Sequence, residues 1–201
     1  MVTGARSPPG AFDGVGSMGN GGAMRAGPIG AYFAGDLETA AGQARLAAEV
    51  THANVEGQAG AMAVAAAAAW AAGAGTDPHA LFGAVLDVVP ASITRDAIER
   101  ASSIGADVEV LDVVSEIGNG IQALAQDTVP FALWCVRHHL RDYESALWTA
   151  AAALGDCDTL CAIVGSIVVL VPGGAGVPEA WRVRRERLTA FTHLALPPAA
   201  R

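Results

Sequence analysis

The chain has few aromatic residues, few charges and few cysteines, and these shortages exclude several classes of protein. Aromatic residues make up 5% of the 201 positions and charged residues 16%. Alanine dominates the apolar 52%, and alanine is the best helix former and a poor strand former. The composition therefore predicts closely packed helices rather than a sheet sandwich, in one domain that is too apolar for disorder throughout.

The cysteines and the apolar runs indicate a reduced, membrane-free setting. Cys135, Cys157 and Cys161 are odd in number and contain no C-x-x-C pair, so a cytoplasmic location fits better than a disulfide framework. The longest uncharged run, 57–76, is mostly alanine and glycine and favours a buried helix over a membrane span. Residues 1–30 lack the continuous apolar core of a signal peptide.

Negative charge prevails, with a formal net charge of −8. A general nucleic-acid binder needs a basic stripe that displaces counterions, so the balance argues against that class. The local exception is a short run of arginines, which we interpret as a solvated helix face: Arg182, Arg184, Arg185 and Arg187.

Helical periodicity recurs along the chain, and no segment alternates convincingly as a strand. The pattern predicts helices at 26–34, 36–50, about 61–72, 79–88, 92–105, 107–115, 131–138, 142–153 and 161–171, with a basic helix after 177–181. Pro130 is expected in the first turn of the 131–138 helix. Residues 1–15 are interpreted as a flexible lead-in, 16–190 as the helical domain and 191–201 as a flexible tail.

A tight pair of carboxylates near the C-terminal end has the most specific chemistry. Asp156 and Asp158 are two residues apart, and Thr159 adds a hydroxyl. Such a pair repels itself unless a cation lies between the carboxylates, and hard oxygen donors suit Mg²⁺, Mn²⁺ or Ca²⁺. The alternative is a loop whose aspartate caps the following helix, and the pattern alone leaves both readings open.

A glycine-rich segment, 16–25, leads into the first apolar run. Glycines let a backbone approach a ligand closely, and successive amides at a helix start bind phosphate, although a plain flexible loop has the same composition. A dinucleotide-binding fold is excluded, because no strand precedes this segment and no βαβ pattern follows it. His52 lies at a junction between helices, a position typical of a structural hydrogen-bonding residue.

Five collinear motifs resemble the ADP-ribosylglycohydrolase family, a family of all-α hydrolases. They are Gly16 to Arg25; Thr51-His52 with Gly57 to Ala63; Glu116 to Gly120 with Thr128-Val129-Pro130; Gly155 to Thr159 with Ala162-Ile163; and Val177 to Trp181. The resemblance implies a compact orthogonal multi-helix bundle. It also implies a hydrolase that removes ADP-ribose from a modified side chain or a related conjugate, using two Mg²⁺ or Mn²⁺ ions.

The resemblance also implies roles for individual residues. The implied metal ligands are Asp156, Asp158 and Thr159. The implied contacts of the pyrophosphate are Ser17, Met18, Gly19 and Asn20. His52 would face the ribose attached to the leaving group. The partner would be ADP-ribose or an ADP-ribosylated protein.

Three departures from the family pattern qualify this reading. The family's N-terminal Thr-Asp-Asp motif is absent, and Asp13 is the sole acid before Gly16. The chain therefore reads as a member that lacks the family's N-terminal helices and half of the metal ligands, with no catalytic residue assigned. Leu154 stands where the family usually has glycine, in a turn expected to need positive φ, and Cys157 replaces threonine.

Two functions follow from the sequence. One is an ADP-ribosylglycohydrolase, and the alternative is an inactive remnant that binds ADP-ribose or nothing. Loss of N-terminal helices would uncover apolar faces, so we also expect self-association of the isolated chain.

Overall fold

The structure is a computed structural model that describes residues 14–73 and 75–186. In those ranges the chain forms α-helices without an extended strand, which confirms the predicted all-α class. The helices are α1 (Gly27–Tyr32), α2 (Leu37–Glu49), α3 (Val55–Ala72), α4 (Ala80–Leu86), α5 (Ile93–Ser103), α6 (Val110–Ile117), α7 (Ala125–His138), α8 (Tyr143–Ala152), α9 (Cys157–Val168) and α10 (Glu179–Arg182), with a 3₁₀ turn at Ala23–Arg25. Most of the predicted lead-in, the whole predicted tail and Arg187 lie outside the described residues.

The alanine-rich helix α3 runs through the centre of the fold. Its residues are buried almost all round from Ala59 to Ala69, as expected for a helix that is hydrophobic on every face. Helices α1, α2, α7 and α9 pack against it, and the short alanine side chains let them approach closely. The prediction of a buried helix in the uncharged run is confirmed, and the described ranges contain no helix with the length and hydropathy of a membrane span.

Helix α7 corrects one expectation. It begins at Ala125 and places Pro130 inside the helix, whereas the sequence pattern predicted Pro130 in the first turn of a helix from 131. The earlier start follows from a contact with the glycine-rich segment. Ala125 N donates to Met18 O at 2.9 Å, and Asn20 N donates to Ala123 O at 3.0 Å. This contact joins segments more than a hundred residues apart, so local periodicity carries no sign of it.

A buried carboxylate connects α3 to α5. Glu56 is 6% exposed, and its Oε1 accepts from Ile93 N at 3.1 Å. Its Oε2 accepts from Thr94 N at 2.7 Å and from Thr94 Oγ1 at 2.8 Å. A negative side chain at a helix N-terminus satisfies backbone donors that have no partner in the helix. Glu56 thereby holds the start of α3, and the loop before it, against α5.

Candidate functional site

Asn20 joins three of the sequence motifs at one point. Its side-chain Nδ2 donates to Asp156 Oδ2 at 2.7 Å and to Thr128 Oγ1 at 2.9 Å. The Thr128 hydroxyl donates in turn to Leu124 O at 2.8 Å. The glycine-rich segment 16–25, called the glycine-rich loop below, therefore meets the start of α7 and the start of α9 here. We call the three residues Asn20, Thr128 and Asp156 the junction.

The turn before α9 has the strained geometry that the sequence predicted. Leu154 adopts φ +56°, a left-handed conformation that costs a non-glycine residue roughly 1–2 kcal/mol. Its side chain is 74% exposed. Asn119 fixes this turn with two hydrogen bonds. Its side-chain Nδ2 donates to Ala153 O at 2.9 Å, and its backbone O accepts from Asp156 N at 3.1 Å.

Asp156 occupies the position of an N-cap, but its side chain turns to Asn20 rather than closing a capping hydrogen bond on α9. Burial raises the pKa of the Asp156 carboxyl. The hydrogen bond donated by Asn20, together with the nearby hydroxyl and amide of Thr159, outweighs burial, so the pKa of Asp156 lies below the ordinary value for aspartate. The group is therefore a carboxylate at neutral pH, poised for a cation or a hydrogen-bond donor.

The residues at the start of α9 supply oxygen donors for a divalent ion. Asp158 is exposed, whereas Thr159 is 5% exposed and its Oγ1 lies 4.0 Å from Met24 Sδ. Within 14–73 and 75–186, no three His, Cys, Asp or Glu side chains gather as a metal-binding group. Mg²⁺ commonly keeps several waters and is bound through one or two carboxylates. The donor set thus fits one hydrated ion and is too small for two.

The glycine-rich loop is closed by its own hydrogen bonds. Gly19 N donates to Ser17 Oγ at 3.1 Å, and Gly19 forms an isolated antiparallel bridge with Leu124. Asn20 uses both its backbone N–H and its side-chain amide within the protein. The predicted contact of Ser17, Met18, Gly19 and Asn20 with a pyrophosphate stays a prediction, and these bonds leave Asn20 a different role.

His52 lies against the glycines of that loop. A Cβ added at Gly19 or Gly21 would lie 3.3 or 3.2 Å from His52 Nε2. The Thr51 hydroxyl accepts from Arg25 Nη2 at 2.6 Å and lies 2.7 Å from His52 Nδ1. The same hydroxyl lies 3.5 Å from a second acceptor, Ala48 O. Nδ1 is therefore engaged by Thr51, and Nε2 is the ring nitrogen that faces the glycines.

The surroundings of His52 determine the charge of its ring. Burial, and then the positive charge of Arg25, lower the pKa of the imidazole. At neutral pH the ring is therefore uncharged, and its Nε2 lies beside the glycines of the loop as a hydrogen-bonding atom. Such an atom suits a ribose hydroxyl, which both donates and accepts.

Sequence reasoning did not assign Thr128 or Asn119 to the site. Both belong to motifs that carry the family resemblance, and Asn119 is flanked by glycines at 118 and 120 that adopt φ +88° and +84°. A polar residue between two glycines is a signal of a constrained loop that could have identified Asn119. Thr128 carries no comparable signal, since its role arises only where α7 meets the glycine-rich loop.

Comparison with known proteins agrees with the resemblance. The sequence model that describes the ADP-ribosylglycohydrolase family matches residues 2–199 of this chain. Human ADP-ribosylhydrolase ARH3 is 32% identical over 201 residues, which is 85% of this chain and 54% of the human protein. The mouse protein of the same name is 31% identical over the same shares, and an uncharacterized protein of Archaeoglobus fulgidus is 35% identical over 80% of this chain and 51% of its own length. The chain spans about half the length of the curated relatives that it matches.

Proposed function

The chain belongs to the ADP-ribosylglycohydrolase family, and from this premise we propose that it acts on ADP-ribose conjugates as a hydrolase of the glycosidic bond. The ligand is ADP-ribose attached to a protein side chain or a related group. The single observation that supports the proposal most strongly is the junction at Asn20. It brings the glycine-rich loop to within one hydrogen bond of Asp156, so the segment expected to hold a pyrophosphate and the segment expected to hold a cation are adjacent.

Each part of the junction has a task in this proposal. The backbone of the glycine-rich loop approaches the pyrophosphate, and Nε2 of His52 forms a hydrogen bond with a ribose hydroxyl of the ligand. Asp156, Asp158 and Thr159 hold a divalent ion, Mg²⁺ or Mn²⁺, which when bound orients ribose hydroxyls and offsets negative charge. The described residues supply donors for one ion, so a second ion of a dinuclear site would take its ligands from outside them.

A specific observation favours the alternative function, which is binding of ADP-ribose without turnover. Among the residues that the structure describes, the donor set at α9 is small. An incomplete set of ligands loses metal affinity and geometry together. Under this alternative the loop and His52 still bind ADP-ribose, and hydrolysis is absent.

The test is isothermal titration of ADP-ribose into the purified chain, with Mg²⁺, with Mn²⁺ and with chelator. The same titration is run on the double variant Asp156→Ala/Asp158→Ala. A matched control, Asp87→Ala/Asp96→Ala, removes the same charge from two exposed aspartates away from the junction. Release of ADP-ribose from ADP-ribosylated arginine and serine peptides is then followed for each chain.

We expect metal-dependent binding that disappears in the Asp156/Asp158 variant and persists in the Asp87/Asp96 control. Release of ADP-ribose from either peptide supports the hydrolase, whereas binding without release supports the alternative. Absence of binding under every metal condition would contradict both.

Two further expectations belong to this proposal. A cytoplasmic location is supported by the three cysteines, which are all free thiols, as in a reducing compartment. Self-association stays an expectation, and the end of α1 is one place for it, because Tyr32 is 82% exposed there. Sedimentation velocity across a concentration series tests the second expectation, and a monomer at every concentration would contradict it.

A further inference from the structure

We infer that Asn20, fixed by Thr128, is a positioning residue that orients the Asp156 carboxylate toward a divalent cation. The inference rests on the proposed function and deepens it, because it assigns a role to the buried side-chain amide of Asn20. The observation behind it is the juxtaposition of Asn20 Nδ2 with Thr128 Oγ1 and Asp156 Oδ2, at 2.9 and 2.7 Å.

The network determines which end of the amide faces the carboxylate. The Thr128 hydroxyl gives its proton to Leu124 O at 2.8 Å, so toward Asn20 it offers a lone pair. Thr128 and Asp156 are therefore both acceptors, and only the NH₂ end of the amide, with two hydrogens, satisfies both. Asn20 is 6% exposed and Thr128 is fully buried, so water is kept from the bond between them. The bond to Asp156 is half-buried.

The bond from Asn20 restrains one oxygen of Asp156 and leaves the other for a cation. With Oδ2 held by Asn20, rotation of the carboxylate is restricted, and Oδ1 is the oxygen that this inference gives to the cation. Restraining a ligand before the ion binds removes an entropic cost of binding. Partners of this kind around metal ligands typically contribute 10–100-fold in affinity.

The neutrality of asparagine is the second argument. A lysine or arginine at this place would restrain the carboxylate equally well, but its positive charge would repel a divalent ion. Among the residues that the structure describes, the ion pairs join helix neighbours on the surface, and Asp156 takes part in none of them. The carboxylate thus keeps its full negative charge while its orientation is restrained.

The test measures binding of Mn²⁺ alone to the full chain, from the electron paramagnetic resonance signal of free Mn²⁺. Asn20→Ala and Thr128→Val remove the two ends of the network, and Thr128→Ser keeps the hydroxyl. Thr76→Val, at the opposite end of α3, is the control for the loss of an exposed threonine hydroxyl. Circular dichroism sets a temperature at which every variant is folded.

We expect Mn²⁺ to bind about 10–100-fold more weakly to Asn20→Ala and Thr128→Val, with affinity restored in Thr128→Ser and unchanged in Thr76→Val. A double-mutant cycle with Asp156→Asn separates orientation from general loosening. If Asn20 acts through Asp156, Asn20→Ala weakens binding no further once Asp156 is asparagine. Independent, multiplying losses would overturn the inference.

The outcomes also separate this inference from the proposed function. If the unaltered chain and Asn20→Ala bind Mn²⁺ equally, the positioning role is wrong and the cation site stands. If the unaltered chain binds no Mn²⁺, the cation site itself is wrong, and the inference is overturned with it.

Discussion

The same substitution, glycine to alanine, should have opposite effects at two helical positions of this chain. Gly42 lies within α2, and a Cβ added there has no neighbouring atom within 4 Å in the described part of the chain. Gly57 lies in the first turn of α3, and a Cβ there would be 2.8 Å from Ser17 O and 3.1 Å from His52 Cβ. The first site is open, whereas the second is filled by the glycine-rich loop.

The magnitudes follow from two opposing terms. Alanine is favoured over glycine within a helix by up to about 1 kcal/mol. At Gly42 that gain is uncompensated, so Gly42→Ala should raise the melting temperature by about 2–4 °C for a chain of this size. At Gly57 the overlap with the backbone of Ser17 and the Cβ of His52 costs about 1–3 kcal/mol. The net effect of Gly57→Ala is therefore a loss of up to about 2 kcal/mol, or a shift down by as much as about 8 °C.

Differential scanning calorimetry and urea unfolding of both variants beside the unaltered chain check this prediction. Titration of ADP-ribose adds a second measurement, because a displaced Ser17 and His52 should weaken binding in Gly57→Ala alone. The reasoning would be refuted if both variants melted at the same temperature, above that of the unaltered chain. The glycine-rich loop would then accommodate the added methyl group at Gly57 without loss of stability.

Two further predictions concern Glu56, which is buried, and His138, which is half-buried, both away from the junction. Glu56→Ala should lower the free energy of unfolding by about 2–4 kcal/mol, because it leaves the two buried donors of Thr94 and the half-buried N–H of Ile93 without an acceptor. Urea unfolding measures this, and the control is Glu99→Ala at an exposed position, expected within about 0.5 kcal/mol of the unaltered chain. Burial, aided by the charge of Arg137, lowers the pKa of His138 from 6.5 to about 4. The unfolded chain therefore binds the proton more readily, and stability present above pH 6.5 is lost as the pH falls toward 4. His138→Gln should lose less stability over that interval in urea unfolding at stepped pH, and parallel curves for the two chains would count against the assignment.

Much of the candidate site was predictable because it is written in short, local motifs. The D-x-D-T stretch predicted oxygen donors at a helix start, and Asp156 and Asp158 lie there. The departure at Leu154 predicted a positive φ, which the structure confirms. These features depend on a few consecutive residues, so their chemistry is visible without the fold.

The use that the fold makes of those residues was not predictable. Asn20 looked like one more residue of a phosphate-binding loop, yet its amide is engaged with Asp156, 136 residues away. The start of α7 was placed too late for a similar reason, since a distant backbone contact begins the helix before any periodicity appears.

The sequence by itself determined the helical class, the buried course of α3 and the identity of the oxygen donors. Alanine content, hydrophobic period and side-chain chemistry act locally or through composition, and they need no knowledge of neighbours in space. Only the tertiary structure decided which donor meets which acceptor. A hydrogen bond depends on tenths of an ångström between groups far apart in the chain, and those distances are set by how α3, α7 and α9 pack together.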